Sequence, residues 1–331
     1  MSFLVIGGSG FIGSNLSKLL LQSGHDIRIF DKRPSQLFND MTTLGDVRDT
    51  AALASVVEGV DVIYNLAAEH RDDVRPVSLY RDVNVQGARN VVEAAERAGV
   101  KKIIFTSSVA VYGFTHRDTD ETGKFQPFNE YGRTKLEAEQ VYQEWVRKSP
   151  ERSLTIIRPT VVFGKGNRGN VYNLLRQIAS GKFVMVGSGR NHKSMAYVEN
   201  IATFLAYSAT FGPGEHVFNY ADKPDFDMNT LVFLVNKKMG KGQGVGLRFP
   251  YWLGYLGGMA FDIAGRITGK KFAISVIRMK KFCSSTQFSS SRIQEKGFVP
   301  PISLSEGLEK TLQFEFLDPK TDKHNVVFYT E

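Results

Sequence analysis

Short β-branched runs alternate with helical stretches along the first half of the chain. FLVIG (3–7) predicts a strand, SNLSKLLLQSG (14–24) a helix closed by Gly24, and DIRIFD (26–31) the next strand. DVIYNLAA (61–68), KKIIFTSS (101–108) and LTIIRP (154–159) predict further strands, with helical stretches between them. Residues 80–98 turn Val83, Val91, Val92 and Ala95 inward and stop at Gly99, and residues 131–148 form another amphipathic helix. Strands spaced by helices require right-handed crossovers, so the fold class is α/β with a doubly wound parallel sheet. From about residue 166 the pattern loosens, with glycines at 166, 169, 181, 187 and 189, and HVFNYA (216–221) predicts a strand returning to the main sheet. The expected division is a sheet domain over 1–165, joined again by 195–221, and a smaller C-terminal substrate lobe from 166–194 and 222–331.

With 331 residues the chain is long enough for a full hydrophobic core. The N-terminus, MSFLVIGGSGFIGS, lacks a basic leader and turns glycine-rich at once, and no uninterrupted apolar run approaches the ~20 residues of a spanning helix. The expected address is therefore the cytoplasm. A net charge of +8 favours an anionic partner, either phosphate or an acidic membrane face. Nucleic acid is not expected, because no zinc-ligand spacing, RNA-binding signature or Arg-rich run accompanies the charge. The single cysteine, Cys283, rules out an internal disulfide and reads as a small buried hydrophobe, and no metal site is expected.

GGSGFIG sets Gly7, Gly10 and Gly13 as G-x-x-G-x-x-G between a strand and a helix, with Phe11 and Ile12 leading into the helix. Gly7 permits the tight turn, Gly10 lets backbone approach a pyrophosphate, and Gly13 lets helix pack on strand. The helix N-terminus then offers free N–H groups to the phosphates. This is the dinucleotide site of a Rossmann-type sheet. Asp31 ends the second strand, where its carboxylate can accept from the adenosine ribose hydroxyls and repel a 2′-phosphate, so NAD is expected over NADP. Lys32 and Arg33 soften that preference. Asp46 and Val47 sit where a third strand ends and would flank the adenine, or form a plain turn.

Tyr131 and Lys135 lie four residues apart and so project from one helical face. A nearby ammonium favours tyrosinate, which would lower the Tyr131 pKa toward neutrality and make it a general base. Ser108 leaves the end of a strand and can hydrogen-bond the same substrate hydroxyl. The segment FPYWLGYLGGMAFDIAGRITGKKF (249–272) repeats Trp252, Tyr255, Leu256, Met259, Ile263 and Ile267 at helical spacing, and Lys270 and Lys271 follow. It reads either as an interfacial helix on lipid or as a buried helix of the smaller lobe, packed through Gly254, Gly257 and Gly258. Asp262 and Arg266 give it only a partly polar face, and both readings stay open.

These motifs resemble the extended short-chain dehydrogenase/reductase family, particularly its nucleotide-sugar epimerase branch. GGSGFIG, NLAA (65–68), DVNVQGARNVVEAA (82–95), TSSVAVYG (106–113), YGRTK and RPTVVFG (158–164) look like that family's blocks in order, over essentially the whole chain. The resemblance implies that Leu66, Ala67 and Ala68 line NAD, that Asn84 sits beside the active site, and that Pro159 and Thr160 abut the nicotinamide. AAEHRDDVRPVSLY (67–80), GNRGNVYNLLRQIASGKF (166–183) and KSMAYVENI (193–201), with the ITGKK…KKFCSSTQF segment, are similar to a narrower group. Those bacterial epimerases interconvert N-acetylglucosamine and N-acetylgalactosamine at C4 on undecaprenyl diphosphate, in O-antigen and related glycan assembly.

By that likeness Tyr131 takes the C4 hydroxyl proton while hydride passes to NAD, Ser108 holds the developing ketone, and Lys135 anchors the nicotinamide ribose. Asn170 and Lys193 fall where the family holds sugar diphosphates, Lys193 standing where many relatives carry Arg. His70, Arg71 and Val109 are further substrate-side candidates. The likeness also implies a homodimer through the helices near 80–98 and 131–148, and the 249–272 segment would give peripheral contact with the inner face of the cytoplasmic membrane. A UDP-N-acetylglucosamine 4-epimerase is the nearest alternative. A 4,6-dehydratase is disfavoured by Val109 after Ser108, where an Asp-Glu pair is absent. A steroid-type dehydrogenase would show net NADH production. A non-catalytic NAD sensor or scaffold is opposed by the complete Ser108, Tyr131 and Lys135 set.

Overall fold

A computed structural model describes residues 1–71, 73–115, 118–242, 244–268, 276–318 and 326–330. Twelve strands follow one another along it. They are β1 (Ser2–Ile6), β2 (Asp26–Asp31), β3 (Thr42–Leu44), β4 (Val62–Asn65), β5 (Lys102–Thr106) and β6 (Ser153–Pro159), then β7 (Val161–Phe163), β8 (Met185–Val186), β9 (His192–Tyr197), β10 (Gly214–Tyr220), β11 (Asp222–Asp227) and β12 (Arg248–Phe249). Seven of them form one parallel sheet in the order β10-β6-β5-β4-β1-β2-β3.

Alternation along each strand divides the core between the two faces. Leu4, Ile6, Ile63, Ile103 and Phe105 pack on one face beneath the helices Gly87–Arg97 and Glu130–Arg147, which contribute Val91, Ala95, Tyr142 and Trp145. Phe3, Val5, Tyr64 and Ile104 pack on the other, beneath the helices Phe11–Gln22 and Val198–Ser208. Because β1 has β2 on one side and β4 on the other, the crossovers diverge there. The crevice this leaves at the C-terminal strand ends is where such sheets bind dinucleotides.

Beyond β6 the chain builds a second core from Phe163, Leu175, Met185, Tyr197, Leu231 and Leu308. A three-stranded sheet, β11-β9-β7, and a two-stranded one, β12-β8, frame it. The apolar segment from residue 249 forms the helix Tyr251–Thr268. One side of it packs closely, since a Cβ at Gly254 would fall 2.6 Å from Val186 and 2.8 Å from Met279. The other side exposes Trp252 (60%), Leu253 and Leu256. The helix therefore has one closely packed face and one exposed apolar face. Lys270 and Lys271, and the side chains of Ile263, Arg266 and Ile267, lie outside the described residues. Among the described residues no helix is long and apolar enough to cross a membrane.

Candidate active site

The glycine turn follows β1 directly. Gly7 has φ +78°, and a Cβ there would fall 2.7 Å from the amide of Ala67, so the loops after β1 and β4 meet backbone to backbone. Gly13 lies against Gly7 and Gly8, with no room for a side chain. Gly10 caps the helix Phe11–Gln22 without a side-chain acceptor, and its first turn has no acid. That leaves a positive helix end suited to phosphate. Asp31 accepts from the Ser9 and Arg33 amides, both at 3.0 Å. Burial raises its pKa and the two N–H groups pull it back, so the carboxylate stays ringed by donors at the crevice edge. A turn without space for side chains, an unneutralised helix end and a carboxylate at the next strand end together fit an NAD cofactor.

The other cofactor candidates have partners of their own. Lys32 Nζ reaches the buried Glu69 at 3.2 Å, and Arg71 lies 3.8 Å from the same carboxylate. The Lys32 charge is thus directed toward the end of β4. Asp46 is gripped by Arg48 at 2.9 and 2.8 Å, which lowers its pKa. Val47 is buried against Gly87, and its carbonyl accepts from Asn90 Nδ2. Asn84 binds both backbone groups of Glu69 and donates to Thr134 Oγ1 at 2.9 Å, tying the loop after β4 to the Tyr131 helix. Leu66, Ala67 and Ala68 are half-buried beside the glycine turn, and Ile12 opens the helix above it. Pro159 ends β6, and Thr160 N–H donates to Tyr220 O at 3.0 Å.

Ser108, Tyr131 and Lys135 converge past the end of β5. Asn129 caps the helix Glu130–Arg147 through Gly132 N–H, and so fixes where Tyr131 starts its face. Ser108 Oγ accepts from Ala110 N–H at 3.1 Å and shares a hydrogen bond with the Tyr131 hydroxyl. Val109 follows, half-buried, in a single helical turn. Lys135 is 2% exposed, with Nζ donating to Thr106 O at 2.6 Å. Burial lowers its pKa to about 7, and Glu139 opposes the fall.

Here the expectation for Tyr131 needs correction. Its pKa is raised, because burial outweighs the Ser108 hydrogen bond. Lys135 does not counter the rise in this arrangement, since its ammonium is turned to the Thr106 carbonyl and is itself depressed.

Sequence reading missed what lies behind Lys135. Glu139, one turn further along the helix, accepts from Arg158 at 2.9 and 2.6 Å and from Ser107 Oγ. Both members of the ion pair are almost fully buried. Arg158 continues to Tyr112, and Tyr112 to Asn219. The spacing of Glu139 from Lys135 was a usable signal, but its partner on β6 is visible only in three dimensions.

On the substrate side the candidates are more scattered. His70 Nε2 lies 3.1 Å from Thr330 O, and burial lowers its pKa. Arg71 O accepts from the Tyr80 hydroxyl. Asn170 is exposed at the start of the helix Asn170–Ala179. Lys193 Nζ donates to Ser284 O at 2.6 Å, and burial lowers its pKa to about 8.

Residues 3–221 match the NAD dependent epimerase/dehydratase family. The chain is 53% identical over 330 residues to the N-acetyl-alpha-D-glucosaminyl-diphospho-ditrans,octacis-undecaprenol 4-epimerase of Escherichia coli O157:H7, covering 99% of this chain and 98% of that protein. It is 28% identical to the UDP-glucose 4-epimerase of Vibrio cholerae, with 94% of each covered. The crystal structure of the Thermotoga maritima UDP-glucose 4-epimerase superposes with a TM-score of 0.75 at 22% identity, covering 95% of this chain and 98% of that one. The matched residues 3–221 include the glycine turn, Asp31, Ser108, Tyr131 and Lys135, and the chain belongs to the NAD dependent epimerase/dehydratase family.

Proposed function

We propose that this protein is a 4-epimerase that interconverts N-acetylglucosamine and N-acetylgalactosamine on undecaprenyl diphosphate through a transient 4-keto sugar. The likeness to the Escherichia coli enzyme over nearly the full length of both chains is the observation that carries this reading. Bound NAD supplies a hydride acceptor that returns the same hydride, so epimerisation involves no net redox change. The turn shaped by Gly7 and Gly13 would bring the Gly10 backbone and the helix Phe11–Gln22 against its pyrophosphate, and Asp31 would accept from its ribose.

Tyr131, once ionised to tyrosinate, would remove the C4 hydroxyl proton and later give it back. Ser108, already bonded to the Tyr131 hydroxyl, holds the same sugar oxygen as it becomes a ketone. Lys135, with its pKa lowered to about 7 and its Nζ bonded to Thr106 O, lies one helical turn past Tyr131 and would anchor the nicotinamide ribose. Glu139 and Arg158 are positioning residues that fix the Lys135 turn of the helix.

Lipid linkage is supported by where the exposed helix sits. The candidate diphosphate ligand Lys193 is bonded to Ser284, and its neighbour Cys283 lies 3.6 Å from Val186 O. Val186 is the residue against which Gly254 of the exposed helix packs. A diphosphate held near Lys193, with His70, Arg71 and Asn170 toward the sugar, would thus lie in the lobe that carries this helix, whose opposite face presents Trp252 and Leu256. That surface would rest on the inner face of the membrane. We also propose a homodimer through the helices Gly87–Arg97 and Glu130–Arg147, which light scattering tests directly.

A UDP-linked substrate is the second reading, favoured by the likeness to the Vibrio cholerae enzyme. Purified protein offered undecaprenyl-diphosphate-GlcNAc and UDP-GlcNAc in parallel separates the two. GalNAc product from the lipid substrate alone is the expected result, and product from UDP-GlcNAc alone overturns it.

A further inference from the structure

The segment Val326–Thr330 crosses the mouth of the cofactor crevice. Its Phe328 N–H donates to Gly166 O at 2.9 Å, and Phe328 O accepts from Arg168 N–H at 2.8 Å, so it forms a bridge alongside Asn167. Thr330 Oγ donates to Asn167 Oδ1 at 2.6 Å. Gly166 and Gly169 make room for this, because a Cβ on either would run into Val326 O or Thr330 Oγ.

Other anchors lie across the crevice, on the sheet. The Phe328 ring sits 5.5 Å from that of Phe11, the first residue of the helix after the glycine turn. Gln36, past the end of β2, donates to Val327 O at 3.2 Å. His70, past the end of β4, meets Thr330 O. One short segment therefore links the exits of β1, β2 and β4 to the residues after β7. A dinucleotide lying along those strand ends would have this segment between its pyrophosphate and the open side.

We propose that Val326–Thr330 is a cofactor-retaining strap, and that Phe328 and Thr330 set how long NAD stays bound. The inference rests on NAD occupying the crevice and does not depend on which sugar is epimerised. The chemistry gives the strap a purpose. A hydride that leaves and returns within one turnover needs the cofactor to remain through the keto-sugar stage, whereas a dehydrogenase must exchange its cofactor each cycle.

Full-length protein, Phe328→Ala and Thr330→Val would be purified with bound NAD, and release followed at 340 nm with an excess of an alcohol dehydrogenase that reduces free NAD. Capture of NAD by stripped protein would be measured alongside. Release about tenfold faster in Phe328→Ala and severalfold faster in Thr330→Val, with capture as fast or faster, is the expected result. Unchanged release in variants that melt normally overturns the proposal. So does faster release with slower capture, which means that the site itself was damaged. Wild-type protein that captures no NAD would instead overturn the cofactor reading beneath it, and the two failures are therefore distinguishable.

Discussion

The helices Glu130–Arg147 and Tyr251–Thr268 have the same length, 18 residues, and opposite surroundings. The first buries Lys135, Glu139, Tyr142 and Trp145 against the sheet and is capped by Asn129. The second touches its lobe through a glycine and presents Trp252 and Leu256 to the surface, 60% and 48% exposed. Burial on the first helix moves the pKa values of Tyr131 and Lys135, which is what a proton-transfer site uses. Exposure on the second leaves apolar area with no intramolecular partner among the described residues, which is what a lipid surface uses. The comparison teaches that equal length does not mean equal surroundings, and the proposed chemistry and the proposed lipid contact fall on separate helices.

Breaking the chemical side should have the largest effect. Tyr131→Phe keeps the ring and removes the proton carrier, so epimerisation should fall by about a thousandfold while NAD is still captured. Steady-state turnover and NAD content check this, and normal turnover would mean that Tyr131 is not the proton carrier. Glu139→Ala comes next, because it strands Arg158 as an unpaired buried charge. A stability loss of ~3–5 kcal/mol is expected by urea unfolding. Arg158→Met with Glu139→Leu should recover much of it. A loss under ~1 kcal/mol in the single variant would mean that water reaches the pair.

On the exposed helix the effects should be smaller and confined to lipid. Trp252→Glu with Leu256→Glu should raise KM for the undecaprenyl-linked sugar about tenfold and reduce flotation with anionic vesicles, as two buried apolar side chains are lost from the contact. Melting temperature should hold, since both side chains are exposed. A drop in melting temperature with unchanged vesicle binding would move this helix into the same class as the buried one.

The two helices also differ in how legible they were. Strand and helix alternation, the glycine turn and the Tyr131–Lys135 spacing are local patterns, and the sheet follows from them because each βαβ unit has one favoured hand. The Trp252 stripe was equally visible, but periodicity states which residues share a face and not what that face meets. Proton affinities were less legible still. The Tyr131 expectation weighed the nearby ammonium and omitted the burial that shifts both groups. Arg158 opens the RPTVVFG block, but its role there and the Val326–Thr330 strap were not legible, because each acts through partners distant in the chain, at Glu139 and at Phe11, Gln36 and His70.

The last prediction isolates that burial. Lys135 has its pKa lowered from 10.5 to about 7, so between those values the folded protein binds fewer protons than the unfolded chain. Stability from this group therefore rises with pH across that window: the cost of the buried charge is full below pH 7 and relieved as the unfolded lysine loses its own proton. Lys135→Met removes the group at similar volume. In NAD-free protein the variant should be more stable than wild type at pH 7, and the gap should close toward pH 10, at no more than about 1.4 kcal/mol per pH unit. Urea unfolding at several pH values reads this out. The Trp252→Glu, Leu256→Glu protein should follow the wild-type slope, since neither site touches Lys135. Parallel curves for wild type and Lys135→Met would mean that the ammonium is solvated after all, and the contrast between the two helices would lose its electrostatic half.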